Sequence, residues 1–226
     1  VIEKIVYDFG AHNGSNIPYY LAIFDKVIAV EANPTLSNEI VNKFKNEIDS
    51  NRLVVLNNVI SLKSEMVDFY IHEHNSVLSQ FPVPSDIENF KKIYIESKTP
   101  SEIINTYGDP EYVKIDVEHT DAEILKDLFI NKIFPRYISA EVHDVTVFSL
   151  LTSSNVYNSY KILDGKSISS IYENININEK KYSFPFHSAG PMFEDIKSPE
   201  LNKEQLFYLL AEERLGWKDI HAKRSY

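Results

Sequence analysis

At 226 residues, with 43% hydrophobic and 25% charged side chains, the chain has the size and composition of one globular domain, 1–226, with a full core. A net charge of −10 supplies no field for tracking phosphates and argues against nucleic acid as a partner. With no cysteine there is no disulfide framework, thiolate nucleophile or Cys-type zinc site, and with no leader or membrane-length apolar run the expectation is a cytoplasmic protein without a membrane partner.

The first apolar run, "EKIVYDF" from Glu3, reads as a strand, and Asn16 is placed to cap a helix whose first turn holds Pro18. "KVIAVEANP" is a second strand, and a helical pattern with Ile40, Val41 and Phe44 on one face starts at Thr35 or Ser37. "RLVVLNNVIS" and "EMVDFYIHE" are the third and fourth strands. The pattern then weakens, so that 74–98 reads as a long loop or insertion. "PSEIINTYG" is a short helix closed by Gly108. Strand "EYVKIDVE", helix "TDAEILKDLFI", strand "RYISAEVHD", helix "VTVFSLLTSS" and strand "YKILDG" follow. From 166 to 226 the chain mixes loop, a possible strand at "KYSFPFH" and an amphipathic helix from Lys203 to Arg214; this segment is expected on the substrate side. Alternating strands and helices imply an α/β fold with a mostly parallel sheet, which binds ligands beyond the carboxyl ends of its strands.

Two of the six glycines fall in "YDFGAHNGSN", between the first strand and the first helix. Gly10 and Gly14 there permit positive φ and close approach to backbone N–H groups. Asp8 just precedes them, and Glu31 ends the second strand, where an acid accepts hydrogen bonds from both ribose hydroxyls. The loop reads G-A-H-N-G rather than the G-x-G-x-x-G of a pyrophosphate site. An acid beneath a loop without basic residues suits the sulfonium and ammonium of S-adenosyl-L-methionine better than a phosphate.

"DFGAHNGSN", "IAVEANP" and "YVKIDVEHTDAEIL", in this order, resemble the FkbM-type S-adenosylmethionine-dependent methyltransferases, whose pattern runs D-x-G-A-N-x-G, then hydrophobic-E-P-x-P, then K-x-D-x-E-G-x-E-x-x-L. The likeness covers Ile5 to His143 well; "SAGPMFEDI" and "GWKDIHA" resemble tail segments more loosely. It implies a Rossmann-like class I methyltransferase fold with a mostly parallel seven-stranded sheet and helices on both faces. Its implied cofactor set is Asp8 and the backbone of Gly10, His12 and Gly14 for the methionine portion, Glu31 for the ribose, and Asn58 with Val59 for the adenine. Asn16, Asn33 and Asp116 complete that set. Asn57 is the alternative to Asn58, since alternation points only one of them inward. His12, Ala32–Asn33 and His119–Thr120–Asp121 depart from the family pattern, the last beside the reaction centre.

"KIDVEH" and "AEVHD" end neighbouring strands, bringing Asp116, Glu118, His119, Glu141, His143 and Asp144 to one rim. Transfer of a methyl group to oxygen requires loss of the acceptor's proton. His143 is the first choice of base, Asp116 the second, and Glu118 orients the acceptor hydroxyl or His143. Asp116, Glu141 and His143 could also hold Mg²⁺ or Mn²⁺, although their spacing does not require a metal and none is expected. His187 could cap the acceptor pocket, Trp217 could cover it or anchor the tail, and His72 with His74 reads as surface. The expected activity is O-methylation of a sugar, glycan or small natural product. The alternatives are an NAD-dependent sugar oxidoreductase and a non-catalytic cofactor-binding module.

Overall fold

A computed structural model describes residues 2–186 and 188–224. In chain order its strands are β1 (Ile5–Phe9), β2 (Lys26–Val30), β3 (Leu53–Leu56), β4 (Val59–Ile60), β5 (Met66–His72) and β6 (Phe90–Lys98). They continue as β7 (Pro110–Ile115), β8 (Tyr137–Glu141), β9 (Ser159–Asp164), β10 (Ile175–Ile177), β11 (Lys180–Tyr182) and β12 (Lys218–Lys223). Seven of these form one sheet in the order β3-β2-β1-β7-β8-β12-β9. Every pairing in it is parallel except those of β12, which runs antiparallel to both β8 and β9. The expected α/β architecture is therefore present, in the strand order of class I methyltransferases.

β1 is buried along its whole length, as a central parallel strand must be when both sheet faces are covered. Its side chains divide by alternation. Ile5, Tyr7 and Phe9 enter one core with Ile103, Ile124, Leu125, Val147, Leu151 and Leu206. Val6 enters the other with Ile17, Tyr19, Tyr20 and Ile40. The helices Pro100–Tyr107, Asp121–Ile130, Val145–Ser153 and Lys203–Glu213 thus cover one face, and Ile17–Ile23 and Pro34–Lys43 the other. Local signals set several ends. Thr99 and Glu102 form a capping box ahead of Pro100, Gly108 closes that helix at φ +110°, and Asn33 caps Pro34–Lys43 through the Thr35 N–H, ahead of the expected start.

Three expectations change. The segment 74–98 is loop only in its first part: β6 pairs antiparallel with β5 and parallel with β4, making a separate three-stranded sheet. Its lysines and the exposed Tyr94 disguise the strand, because only one face has anything to pack on. The possible strand at 181–187 is confined to Lys180–Tyr182 in a hairpin with β10. Finally, β12 fills the gap between β8 and β9 with mostly polar residues that are nonetheless buried. No helix among the described residues is long and apolar enough to cross a membrane.

The chain runs outward from β1 to β3, then returns beside β1 as β7 and runs outward the other way. Strand order therefore reverses between β1 and β7, and the crevice beyond their carboxyl ends is where such sheets bind ligands.

Candidate functional site

A cleft opens at that reversal, lined by Asp8 near the end of β1 and Gly10 and His12 after it, by Glu31 after β2, and by Lys114, Asp116 and Glu118 at the end of β7. Gly10 lies at φ +83°, and a Cβ there would sit 1.8 Å from the backbone oxygen of Asp116. The glycine is demanded first by the neighbouring strand end, which can then approach close beside the loop. Gly10 and Ala11 both donate N–H groups to the Val30 carbonyl at 3.0 Å, locking the loop onto β2. Gly14, at φ +71°, instead packs against Ile17, Ile40 and Phe44 and does not line the cleft.

Glu31 is 8% exposed, and each of its carboxylate oxygens already accepts a backbone N–H, from His12 at 2.7 Å and Asn33 at 2.8 Å. It thereby ties the glycine loop to the start of helix Pro34–Lys43. Burial pushes its pKa up to about 7, against the lowering effect of those two hydrogen bonds. Asn33 reaches Glu31 only through its backbone, its side chain caps the helix, and it does not line the cleft. Asn16 does line the cleft but makes no side-chain cap; its amide donates to Tyr20 and to the Gly190 carbonyl and accepts from Ser188.

Beneath the loop, Asp8 and Lys114 face each other from adjacent strands. The Lys114 Nζ lies 3.2 Å from Asp8 Oδ1 and 3.3 Å from Asp116 Oδ2, and donates to the Gly10 carbonyl at 2.6 Å. Burial opposes the charge on Lys114, but Asp116 and Asp8 together overcome that penalty and hold its pKa above the ordinary lysine value. Asp8 Oδ1 is buried without a hydrogen-bond partner, and burial raises its pKa despite the ammonium alongside. Lys114 is the residue that the sequence reading missed. The signal was present: a lysine in an apolar central strand is as costly as the aspartate beyond it unless both are paired.

Asn58 and Val59 line the far wall with Phe69 and Phe81. The Asn58 amide donates to Glu96, whereas Asn57 donates to the Glu31 and Ala32 carbonyls, so Asn58 is the one that faces the cleft. Ser76, Val77 and Ser79 extend that wall, and the His12 Nε2 meets Ser76 Oγ at 2.9 Å. The unreadable stretch after β5 therefore forms part of the site.

The second acidic cluster borders the cleft at Glu118. Glu118 and His119 take φ of +62° and +69°, turning the chain sharply between β7 and helix Asp121–Ile130. Burial, then the charges of Glu141 and Asp116, push the Glu118 pKa up to about 8. His143 Nε2 lies 3.2 Å from Glu141 and 3.5 Å from Asp121. Its pairing with Asp121 and Glu141 raises its pKa to about 11, which favours the charged imidazole. Its Nε2 is engaged by two acids, which favours Asp116, the second choice, as base. His143 also does not line the cleft. Asp144 leaves the cluster to cap helix Val145–Ser153 through the Thr146 N–H. The donor atoms of Glu118, Glu141 and His143 all lie within 4.8 Å of one another.

The remaining candidates fall elsewhere. His72 accepts backbone N–H groups of His74 and Asn75 in a turn. Trp217 packs on Gly165 and on the Phe186 ring, away from the cleft, and so anchors the tail. His187 lies outside the described residues.

The family model described as "Methyltransferase FkbM domain" matches residues 8–152. Among solved structures, the chain is similar to a methyltransferase FkbM from Methylobacillus flagellatus, at 17% identity and a TM-score of 0.48, covering 80% of this chain and 42% of that one. The chain thus spans less than half the length of that relative. It also resembles precorrin-6Y C5,15-methyltransferases from Geobacter metallireducens (12% identity, TM-score 0.45, 99% and 80% covered) and Rhodobacter capsulatus (11%, 0.46, 100% and 82%). Among functionally curated proteins no match is found. With the matched segment running from the first strand's acid through the β7 and β8 rims to helix Val145–Ser153, the chain belongs to the FkbM-domain methyltransferase family.

Proposed function

We propose that this chain is an S-adenosylmethionine-dependent O-methyltransferase acting on a hydroxyl of a sugar, glycan or small natural product. The observation that carries the reading is the pair of carboxylates at the tips of β1 and β2, Asp8 and Glu31, in a cleft whose one lysine is already held by two acids. Such a lining favours a cationic nucleoside over a phosphate-bearing one. Asp8 lines the cleft with its Oδ1 paired to Lys114, and its other oxygen fits the methionine ammonium. Glu31 retains a lone pair on each oxygen for the ribose hydroxyls, and the Asn58 carbonyl is the atom to meet the adenine amino group.

The bound cofactor supplies an electrophilic methyl group whose carbon–sulfur bond breaks as the acceptor oxygen attacks. Asp116, 32% exposed and facing the cleft, accepts the acceptor's hydrogen bond and takes its proton. Lys114 holds that carboxylate in place. Glu118 positions the acceptor, and most of the catalysis is alignment of oxygen and methyl. The test is transfer of a labelled methyl group from S-adenosylmethionine into a panel of glycans and hydroxylated metabolites. Incorporation is expected, slowed about 10²–10⁴-fold in Asp116→Asn. Cofactor binding with no transfer to any acceptor would instead mark a binding module.

A further inference from the structure

Three acids from three different elements gather about one imidazole. Glu141 ends β8, Asp121 begins a helix and Glu118 sits in the turn between β7 and that helix. The His143 Nε2 lies within 3.2 Å of Glu141 Oε2 and 3.5 Å of Asp121 Oδ2, but it carries at most one hydrogen and can satisfy only one of them. Asp121 is the one left over: its Oδ2 is buried, the residue is 1% exposed, and the atom has no hydrogen-bond partner although it points at the imidazole. An unsatisfied buried carboxylate oxygen is costly.

An independent observation comes from the sheet. Asp219 of β12 is the direct cross-strand partner of Glu141, so their side chains share a face. Like charges directly opposed destabilise a sheet. Asp219 is nevertheless 6% exposed, and no hydrogen bond or ion pair to its carboxylate occurs among the described residues.

We infer that this cluster is a divalent-cation site of the Mg²⁺/Mn²⁺ class, with Glu118, Glu141 and His143 as ligands and Asp121 and Asp219 behind them, the imidazole releasing its proton to solvent as the ion takes its place. Ligand atoms about 2.1 Å from one ion stand roughly 3–4 Å apart, so the 4.8 Å spread calls for only a small inward movement of the donor atoms. Oxygen ligands with one imidazole suit Mn²⁺, and the lack of thiolates disfavours a structural zinc. Glu118 also lines the cleft, so the ion stands at its border. There it chelates two neighbouring oxygens of the acceptor and lowers the pKa of the one to be methylated. This role rests on the methyltransferase reading; the binding of the ion does not.

The experiment is titration of the metal-stripped full chain with Mn²⁺, followed by electron paramagnetic resonance, with no cofactor present. One ion per chain is expected. Glu141→Gln and Glu118→Gln each remove a ligand, and Asp219→Asn removes an outer carboxylate; each is expected to weaken binding about 10–100-fold or more. Glu118 lies in a turn, so its variant keeps the test valid if Glu141→Gln fails to fold, as thermal unfolding would reveal. No Mn²⁺ binding by the wild type, or equal binding by folded variants, overturns the site. A parallel titration with S-adenosylhomocysteine separates the two readings: Mn²⁺ bound without the nucleoside keeps the ion site and removes the methyltransferase, and the reverse removes the ion site alone.

Discussion

An alanine at position 10 would hold φ near +83° with its Cβ 1.8 Å from the Asp116 carbonyl oxygen, against backbone that has no flexible end to give way. The conformation alone costs about 1–3 kcal/mol, and the clash adds to it. Gly10→Ala should therefore lower the denaturant midpoint and loosen the Asp116 strand end together; a variant as stable as the wild type would mean the loop does not pack as described. Glu31 gives a pH signature. Ribose hydroxyls donate to the ionised carboxylate, whose pKa is raised to about 7, so the nucleoside must displace a proton below that pH. Affinity for S-adenosylhomocysteine should rise between about pH 6 and 8, by up to roughly tenfold per unit below the pKa, and level off above. Glu31→Gln should flatten the slope, and a flat wild-type profile would take Glu31 away from the ribose. At this scale the sequence exposes what burial makes expensive: Asp8, Glu31 and Asp116 interrupt apolar strands and all line the cleft. It does not say which polar groups partner each other, so the packing about Gly14, the helix cap at Asn33 and the two acids that engage His143 Nε2 could not be read from it.

β7 brings Lys114 to lie between the acids of β1 and its own tip, and this pairing across two strands is testable as a unit. Lys114→Met leaves the Asp8 charge buried and unpaired, at a cost of about 3–5 kcal/mol. Asp8→Asn in the same chain should restore most of that stability in urea unfolding. Additive losses in the double variant would show that the two do not interact. Elements with a buried face were legible, including β1, β2, β7, β8 and the helices between them. β12 was not. Its sequence, Lys-Asp-Ile-His-Ala-Lys, lacks apolar alternation, and its burial is imposed by β8 and β9 on either side. The same insertion sets Asp219 opposite Glu141, a juxtaposition that no local pattern encodes.

Across the molecule, the strand order places the reversal between β1 and β7, and every cofactor contact proposed above stands at or beside that crevice. Alternation of strands and helices makes this architecture readable, because right-handed crossovers leave few other arrangements. The cleft's outer wall is less readable, since Ser76, Val77 and Ser79 belong to an irregular segment positioned by the separate small sheet. The carboxylate-lined crevice is proposed to grip a sulfonium nucleoside. Isothermal titration of the chain with S-adenosylhomocysteine, against NAD as control, tests it most directly. One nucleoside bound per chain is expected, weakened by about 1–3 kcal/mol in Glu31→Ala, with no binding of NAD. Binding of NAD in its place, or S-adenosylhomocysteine affinity unchanged by Glu31→Ala, would contradict it.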